Sequence, residues 1–321
     1  MEILKADAAA IAKAADIIRS GGLVAMPTET VYGLAADATN GQAVARVFEA
    51  KRRPRLNPLI VHVPDVASAR KLGVFSKEAE KLANAFWPGP LTLVLQCHPN
   101  AGISELVSAG LPTLALRVPA HPVGQALLQA AATPIAAPSA NRSGRISPTT
   151  AAHAAADLKG SIDLVLDAGA CEVGIESTVI DCSEQSQSPP ILLRPGGISA
   201  ERIEGVLGVR LQSTQAKPDA PRSPGQLSSH YAPRARVRLN VVAPEPGEAL
   251  LAFGPQIPPH CGPMINLSET RNLREAAANL FAALRALDAE GCRSIAVLPI
   301  PGQGLGEAIN DRLLRAAAPR P

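Results

Sequence analysis

Short apolar runs alternate with helix-like segments over the first two thirds of the chain. Residues 7 to 20 fit a helix: Asp7 can cap it, Ile11, Ile17 and Ile18 recur on one side, and Gly21-Gly22 ends it. Strand-like runs follow at LVAM (23–26), PLIVHV (58–63), LTLVLQ (91–96), TLALRV (113–118), PIAAPS (134–139), TVIDC (178–182) and ILLR (191–194). Helical patterns lie between several of them, at AVARVFEAKR (43–52), SKEAEKLANAF (76–86) and VGQALLQAAA (123–132). The mixture predicts an α/β domain, one twisted open sheet with flanking helices, over residues 1–211.

The pattern then breaks. Residues 212–235, QSTQAKPDAPRSPGQLSSHYAPRA, are polar, carry four prolines and show no periodicity, which is linker composition. Beyond them come VRLNVV, ALLAF, a helix near 272–290, SIAVLPI and a final helix near 305–317. That β, β, α, β, α order predicts a small Rossmann-like domain over residues 236–321. A chain of 321 residues has room for both.

Composition narrows the function classes. Aromatic residues are only 2% of the chain, which argues against a surface that stacks nucleobases. A formal net charge of +3 is too small to signal a nucleic-acid binder. The five cysteines are odd in number and scattered, so neither a disulfide framework nor a zinc ribbon is indicated. The six histidines show no H-E-x-x-H spacing, and no metal cage of protein ligands is expected. The amphipathic, acid-containing N-terminus is not a signal peptide and no run reaches membrane-span length, so a cytoplasmic location is expected.

Candidate chemistry sits at the ends of the apolar runs. In AMPTETVYGLA (25–35), Pro27 stops a strand and leaves two threonines and a glutamate at its end, where open α/β sheets bind ligands; a simple turn is the alternative. KRRPRLNPL (51–59) packs four cations into five positions, either a solvated helix end or an anion site stiffened by Pro54 and Pro58. APSANRSGRISPT (137–149) offers small hydroxyl residues and glycines that permit close approach to a ligand, or an ordinary loop. No G-x-x-x-x-G-K-[ST] or G-x-S-x-G occurs, which excludes a P-loop and a nucleophile elbow. GIESTVID (174–181) places Glu176, Ser177 and Thr178 at the edge of another run, and HYAP (230–233) interrupts the linker. GQGLGEAIND (302–311) mimics a dinucleotide fingerprint, but with the wrong glycine spacing and too little chain beyond it.

Together PTETVYGLA, KRRPRLNPLIVHV, WPGPLTLVL, PTLALRVPAHP, APSANRSGRISPT, GIESTVID and LLRPGGI resemble the YrdC/Sua5 family of threonylcarbamoyl-AMP synthases. SPGQLSSHYAP and GLGEAINDRLLRAA resemble the longer Sua5 form, so the likeness spans essentially the whole chain. The resemblance implies a reaction of L-threonine, bicarbonate and ATP giving threonylcarbamoyl-AMP and pyrophosphate. It also implies a separate transferase complex that passes the threonylcarbamoyl group to adenosine 37 of tRNAs reading ANN codons, so tRNA is met only indirectly. Residue by residue, Thr30, His62, Arg117, Ala137 and Ser177 match the family's threonine-binding positions. Lys51, Arg53, Asn57, Thr113, Ser139, Asn141, Ser147, Arg194 and Tyr231 match its nucleotide positions, with Lys51 and Arg53 expected to be catalytic and Arg52 and Arg55 beside them. The QLSS after SPG departs from the methionine and basic residues of other members.

The chemistry implied is positional and electrostatic. Threonine's amine attacks bicarbonate, and the resulting carboxylate attacks the α-phosphorus of ATP. Both partners are anions, so Lys51, Arg53 and Arg194, with magnesium arriving on the ATP, would offset their repulsion. Two other readings stand beside this one: carbamoyl-adenylate formation, as in hydrogenase-maturation carbamoyltransferases, and an RNA-binding or ribosome-assembly factor with a basic concave face.

Overall fold

The computed structural model describes residues 1–54, 56–183, 189–213 and 230–319. Arg55 and residues 214–229 of the expected linker therefore lie outside the described residues. Two sheets organise the chain. From one edge, the larger runs Glu2–Lys5, Leu164–Asp167, Val24–Met26, Gly33–Asp37, Ile135–Ala136, Ile60–His62, Thr113–Arg117, Leu91–Cys97, Thr178–Asp181, Ile191–Arg194 and Gln212–Ser213. Gly73–Val74 adds a short ladder beside Leu91–Cys97. Parallel and antiparallel pairings mix: Ile60–His62 runs parallel to Thr113–Arg117, which runs antiparallel to Leu91–Cys97.

Each of the seven strand-like runs holds a strand. The first helix is Ala8–Arg19, with the Asp7 carboxylate accepting from the Ala10 amide at 2.8 Å. Gly33–Asp37 and Leu164–Asp167 are strands that periodicity did not indicate. GLAAD is rich in alanine, a poor strand former, and becomes extended because neighbours pair on both its sides.

Side chains two apart on a strand share a face. Val61, Leu93, Leu95, Leu114 and Leu116 enter the main core with Val47 and Phe48 of the helix Gly41–Lys51 and Leu82 of the helix Lys77–Phe86. On the opposite face a separate apolar cluster, including Val24, Met26, Ile135 and Leu164, lies under the helix Ala8–Arg19, while the strands beyond it form a small apolar floor of Ile60, Val94, Ala115, Val179 and Leu193. Polar groups can therefore be brought over that floor.

The second sheet is all parallel, in the order Arg236–Arg238, Ser294–Val297, Ala249–Ala252, Met264–Asn266. Helices Leu273–Ala289 and Leu305–Ala317 cover it. The expected order lacked Met264–Asn266, three residues whose extended form comes from pairing with Ala249–Ala252. The small sheet's apolar cluster, including Leu251, Phe281, Leu284 and Ile295, also takes in Val31, Ile146, Ile175 and Tyr231. The small domain thus packs against loops of the large one. Among the described residues no helix is long and apolar enough to cross a membrane.

Candidate active site

The PTET segment is organised by Thr28. Its hydroxyl donates to the Val31 carbonyl at 2.6 Å and accepts from the Val31 amide at 3.2 Å. A hydroxyl has one proton, and Thr28 has given its own to Val31, so at 2.8 Å Thr30 must donate to Thr28. That leaves the Thr30 oxygen to accept from Arg117 Nη1 at 2.9 Å.

Arg117 ends its strand directly beside His62, because the parallel register pairs the two. Its Nε donates to the Gly89 carbonyl at 3.3 Å, and its Nη2 lies 2.7 Å from Glu29 Oε1. That contact has ion-pair distance but not hydrogen-bond alignment, so charge holds it. Both side chains are buried. His62 is also buried, and burial, followed by repulsion from Arg117, lowers its pKa to about 3. It is a neutral imidazole whose Nδ1 is buried with no hydrogen-bond partner among the described residues.

A second cluster lies beyond Ser177. Arg194 Nη2 donates to the Ser177 carbonyl at 2.8 Å and to its hydroxyl at 3.2 Å. Arg53 donates to the carbonyls of Asn57 at 3.2 Å and Pro58 at 2.9 Å. Burial lowers Arg53 to about 9, with repulsion from Arg194 adding to it. Both guanidiniums line the same pocket, an arrangement that could hold an anion.

Thr30, Arg53, His62, Arg117, Ala137, Ser139, Ser177, Arg194 and Tyr231 all line one cleft over the apolar floor. The other expected residues stand behind the wall. Lys51, at the end of its helix, donates Nζ to the carbonyls of Ser139 and Asn141, and its own carbonyl accepts from Ser143 at 2.8 Å. Burial pulls its pKa well below the ordinary lysine value. Lys51 therefore fixes the 139–143 loop and does not point into the cleft. Asn141 donates to the carbonyls of Arg142 and Arg145, and Ser147 donates to Glu176 Oε1 at 2.5 Å. Thr113 opens its strand opposite Gln96 and is away from the cleft. Asn57 has both side-chain polar atoms buried without a protein partner, beside Arg53.

Sequence reading assigned no role to Glu29, Glu176 or His230, though all three fell in motifs it marked. It passed over Arg312, which lies mid-helix with only the small domain as context. His230 and Tyr231 line the cleft. His230 is kept neutral by burial, with a pKa of about 3. Tyr231 adopts a left-handed backbone, φ 62°, uncommon for a tyrosine. With these two seated, the cavity is about 50 Å³, room for a few water molecules.

Comparison with known proteins bears on what the cleft holds. A family model described as "Telomere recombination" matches residues 16–196, and one described as "Threonylcarbamoyl-AMP synthase, C-terminal domain" matches residues 198–318. The threonylcarbamoyl-AMP synthase of Bacillus subtilis (strain 168) is 41% identical over 97% of this chain and 93% of its own. The chain belongs to the threonylcarbamoyl-AMP synthase family. Another relative of that name, from Pyrococcus abyssi, is 43% identical over 96% of this chain and 94% of its own. The crystal structure of P. abyssi Sua5 complexed with L-threonine superposes with a TM-score of 0.88 at 40% identity, covering 96% of this chain and 94% of that one. An enzyme family is thereby shown, and the mixed α/β fold is shared with the P. abyssi structure over nearly the whole chain.

Proposed function

We propose that the protein condenses L-threonine, bicarbonate and ATP into threonylcarbamoyl-AMP, releasing pyrophosphate. The observation that carries the reading is the division of one cleft into two halves. Arg117, Thr30 and neutral His62 form a small polar corner, and the Arg53–Arg194 pair forms a cationic one, with Ser177 between them. The naming of the relatives and the threonine held by the P. abyssi protein support it.

In this scheme Arg117 takes the threonine carboxylate and the open Nδ1 of His62 faces the amino acid. A base with a pKa near 3 retains its lone pair at neutral pH and does not keep a proton. It orients the amine and leaves the proton to bicarbonate or water. The amine nitrogen bonds to the bicarbonate carbon with loss of water. An oxygen of the new carboxylate then attacks the α-phosphorus, and the bond to pyrophosphate breaks. Arg53 and Arg194 offset the gathering of negative charge. Magnesium belongs to the substrate, carried on the triphosphate. Glu176, a wall carboxylate, is already engaged by Ser147 and by Arg312.

His230 and Tyr231 line the cleft, so their movement away from it would widen the way in for ATP. The end of the linker that carries His230 and Tyr231 acts as a lid, with Tyr231 contacting the nucleotide. Closed, it protects the carboxythreonine and the mixed anhydride from water. The product passes to a transferase complex that modifies adenosine 37 of ANN-decoding tRNAs in the cytoplasm. Incubation with ATP, bicarbonate and threonine, followed by mass spectrometry, should reveal the adenylate without any RNA. Pyrophosphate release that ignores threonine would overturn the assignment.

A further inference from the structure

The glycine-rich segment 302–311 and the helix after it play no part in the scheme above. The helix Leu305–Ala317 nonetheless reaches the cleft. Arg312, near its middle, is fully buried, which is costly for an arginine unless its charge is matched. Its Nε donates to Glu176 Oε2 at 2.8 Å and its Nη1 to Asp311 at 2.7 Å. Its guanidinium carbon lies 5.3 Å from the centre of the Tyr231 ring, a cation–π contact in a desolvated setting. Among the described residues its Nη2 is buried with no hydrogen-bond partner.

These contacts end on groups of the cleft. Tyr231 is held on one side by Arg312 and on another by Phe281, whose ring stacks at 5.4 Å with a 24° tilt. The carbonyl of Arg315, one turn on, accepts from the His230 amide at 3.3 Å. Glu176 in turn accepts from Ser147. Burial pushes Glu176 upward, yet Arg312, Arg194 and Ser147 outweigh it and hold the carboxylate below its ordinary pKa. One cation of the small domain thus touches the linker and a loop of the large domain at once. The neighbouring helix Leu273–Ala289 also grips the large domain, but away from the cleft: Arg285 donates to the carbonyls of Ile146 and Ser147 and pairs with the Asp157 carboxylate, Nη2 to Oδ2 at 2.6 Å.

We propose that Arg312 is a positioning residue for the nucleotide half of the cleft, seating Tyr231 against the site and fixing the Glu176–Ser147 pair. The small domain then sets how firmly the cleft keeps its nucleotide. Among the described residues Arg312 contacts Glu176, Asp311 and Tyr231 and none of Thr30, His62 or Arg117, so its influence falls on the ATP half. The proposal rests on the reading that this half holds ATP.

The test uses the full chain and two variants. Arg312→Lys keeps the charge opposite Glu176 but loses the planar face and the fork. Arg312→Gln with Glu176→Gln removes both buried charges together and serves in its place if the lysine variant does not fold. Titration calorimetry should show ATP binding about two- to thirtyfold weaker, the range of a cation–π contact, and threonine binding within about twofold of the parent. Combined with Tyr231→Ala, the substitution should weaken ATP binding little further, because the contact is already gone. Unchanged ATP affinity in a folded variant, or factors that multiply in the combination, would mean that Arg312 only glues the domains. Threonine-dependent pyrophosphate release by the parent protein separately decides the reading beneath it. A parent that binds no ATP removes both.

Discussion

Replacing Arg117 by alanine does two things that can be measured apart. It removes the threonine carboxylate's partner, and it leaves Glu29, 2.7 Å away and buried, without its counter-charge. Breaking a buried pair from one side costs about 3–5 kcal/mol of stability. The lost charge-assisted contact should cost about 2–5 kcal/mol of threonine binding, or roughly thirtyfold to several thousandfold in affinity. A weak signal from the alanine variant could therefore reflect unfolding alone. Arg117→Gln with Glu29→Gln separates the two effects, since neutral amides of similar shape leave no bare charge. This variant should melt within a few degrees of the parent and still lose threonine binding, while ATP binding persists. Calorimetric titration with threonine and a thermal melt of each protein are sufficient. Threonine affinity within about threefold of the parent in the double variant would refute Arg117 as the anchor. A parent-like melt for Arg117→Ala would refute the buried pair.

Three further expectations follow from the same geometry. His62 and His230 fall from an ordinary pKa of 6.5 to about 3 on folding, so between those values the unfolded chain binds protons that the folded one refuses. Their contribution to stability is complete above 6.5 and declines as pH falls through the window; parallel stability–pH curves for the parent and His62→Gln would contradict this. Lys51→Met frees the Ser139 and Asn141 carbonyls and should destabilise by about 2–4 kcal/mol, whereas Arg53→Met should chiefly lower turnover. A Lys51→Met protein that melts normally but is inactive would instead put the amine on substrate. Tyr231→Ala should release more AMP per turnover, and ATP with threonine should slow protease cleavage in residues 212–235 of the parent; no change in either leaves the lid without support.

What the sequence determined by itself is local. The capped helix after Asp7 and the strand runs rest on hydrophobic period, caps and proline, which act over a few residues. The family's motifs likewise announced themselves as contiguous strings. Alanine-rich strands such as Gly33–Asp37 were not legible, because their extended form comes from partners on either side rather than from their own residues. The cleft is the tertiary structure's decision. Register alone sets His62 beside Arg117, and only packing shows that Lys51, in the densest cation cluster, turns away to hold carbonyls. Glu29 and Arg312 lie inside marked motifs, but nothing in the chain singled out either side chain. A buried charge is defined by what surrounds it, and Arg312's surroundings come from Glu176, 136 residues away, and from the seated Tyr231.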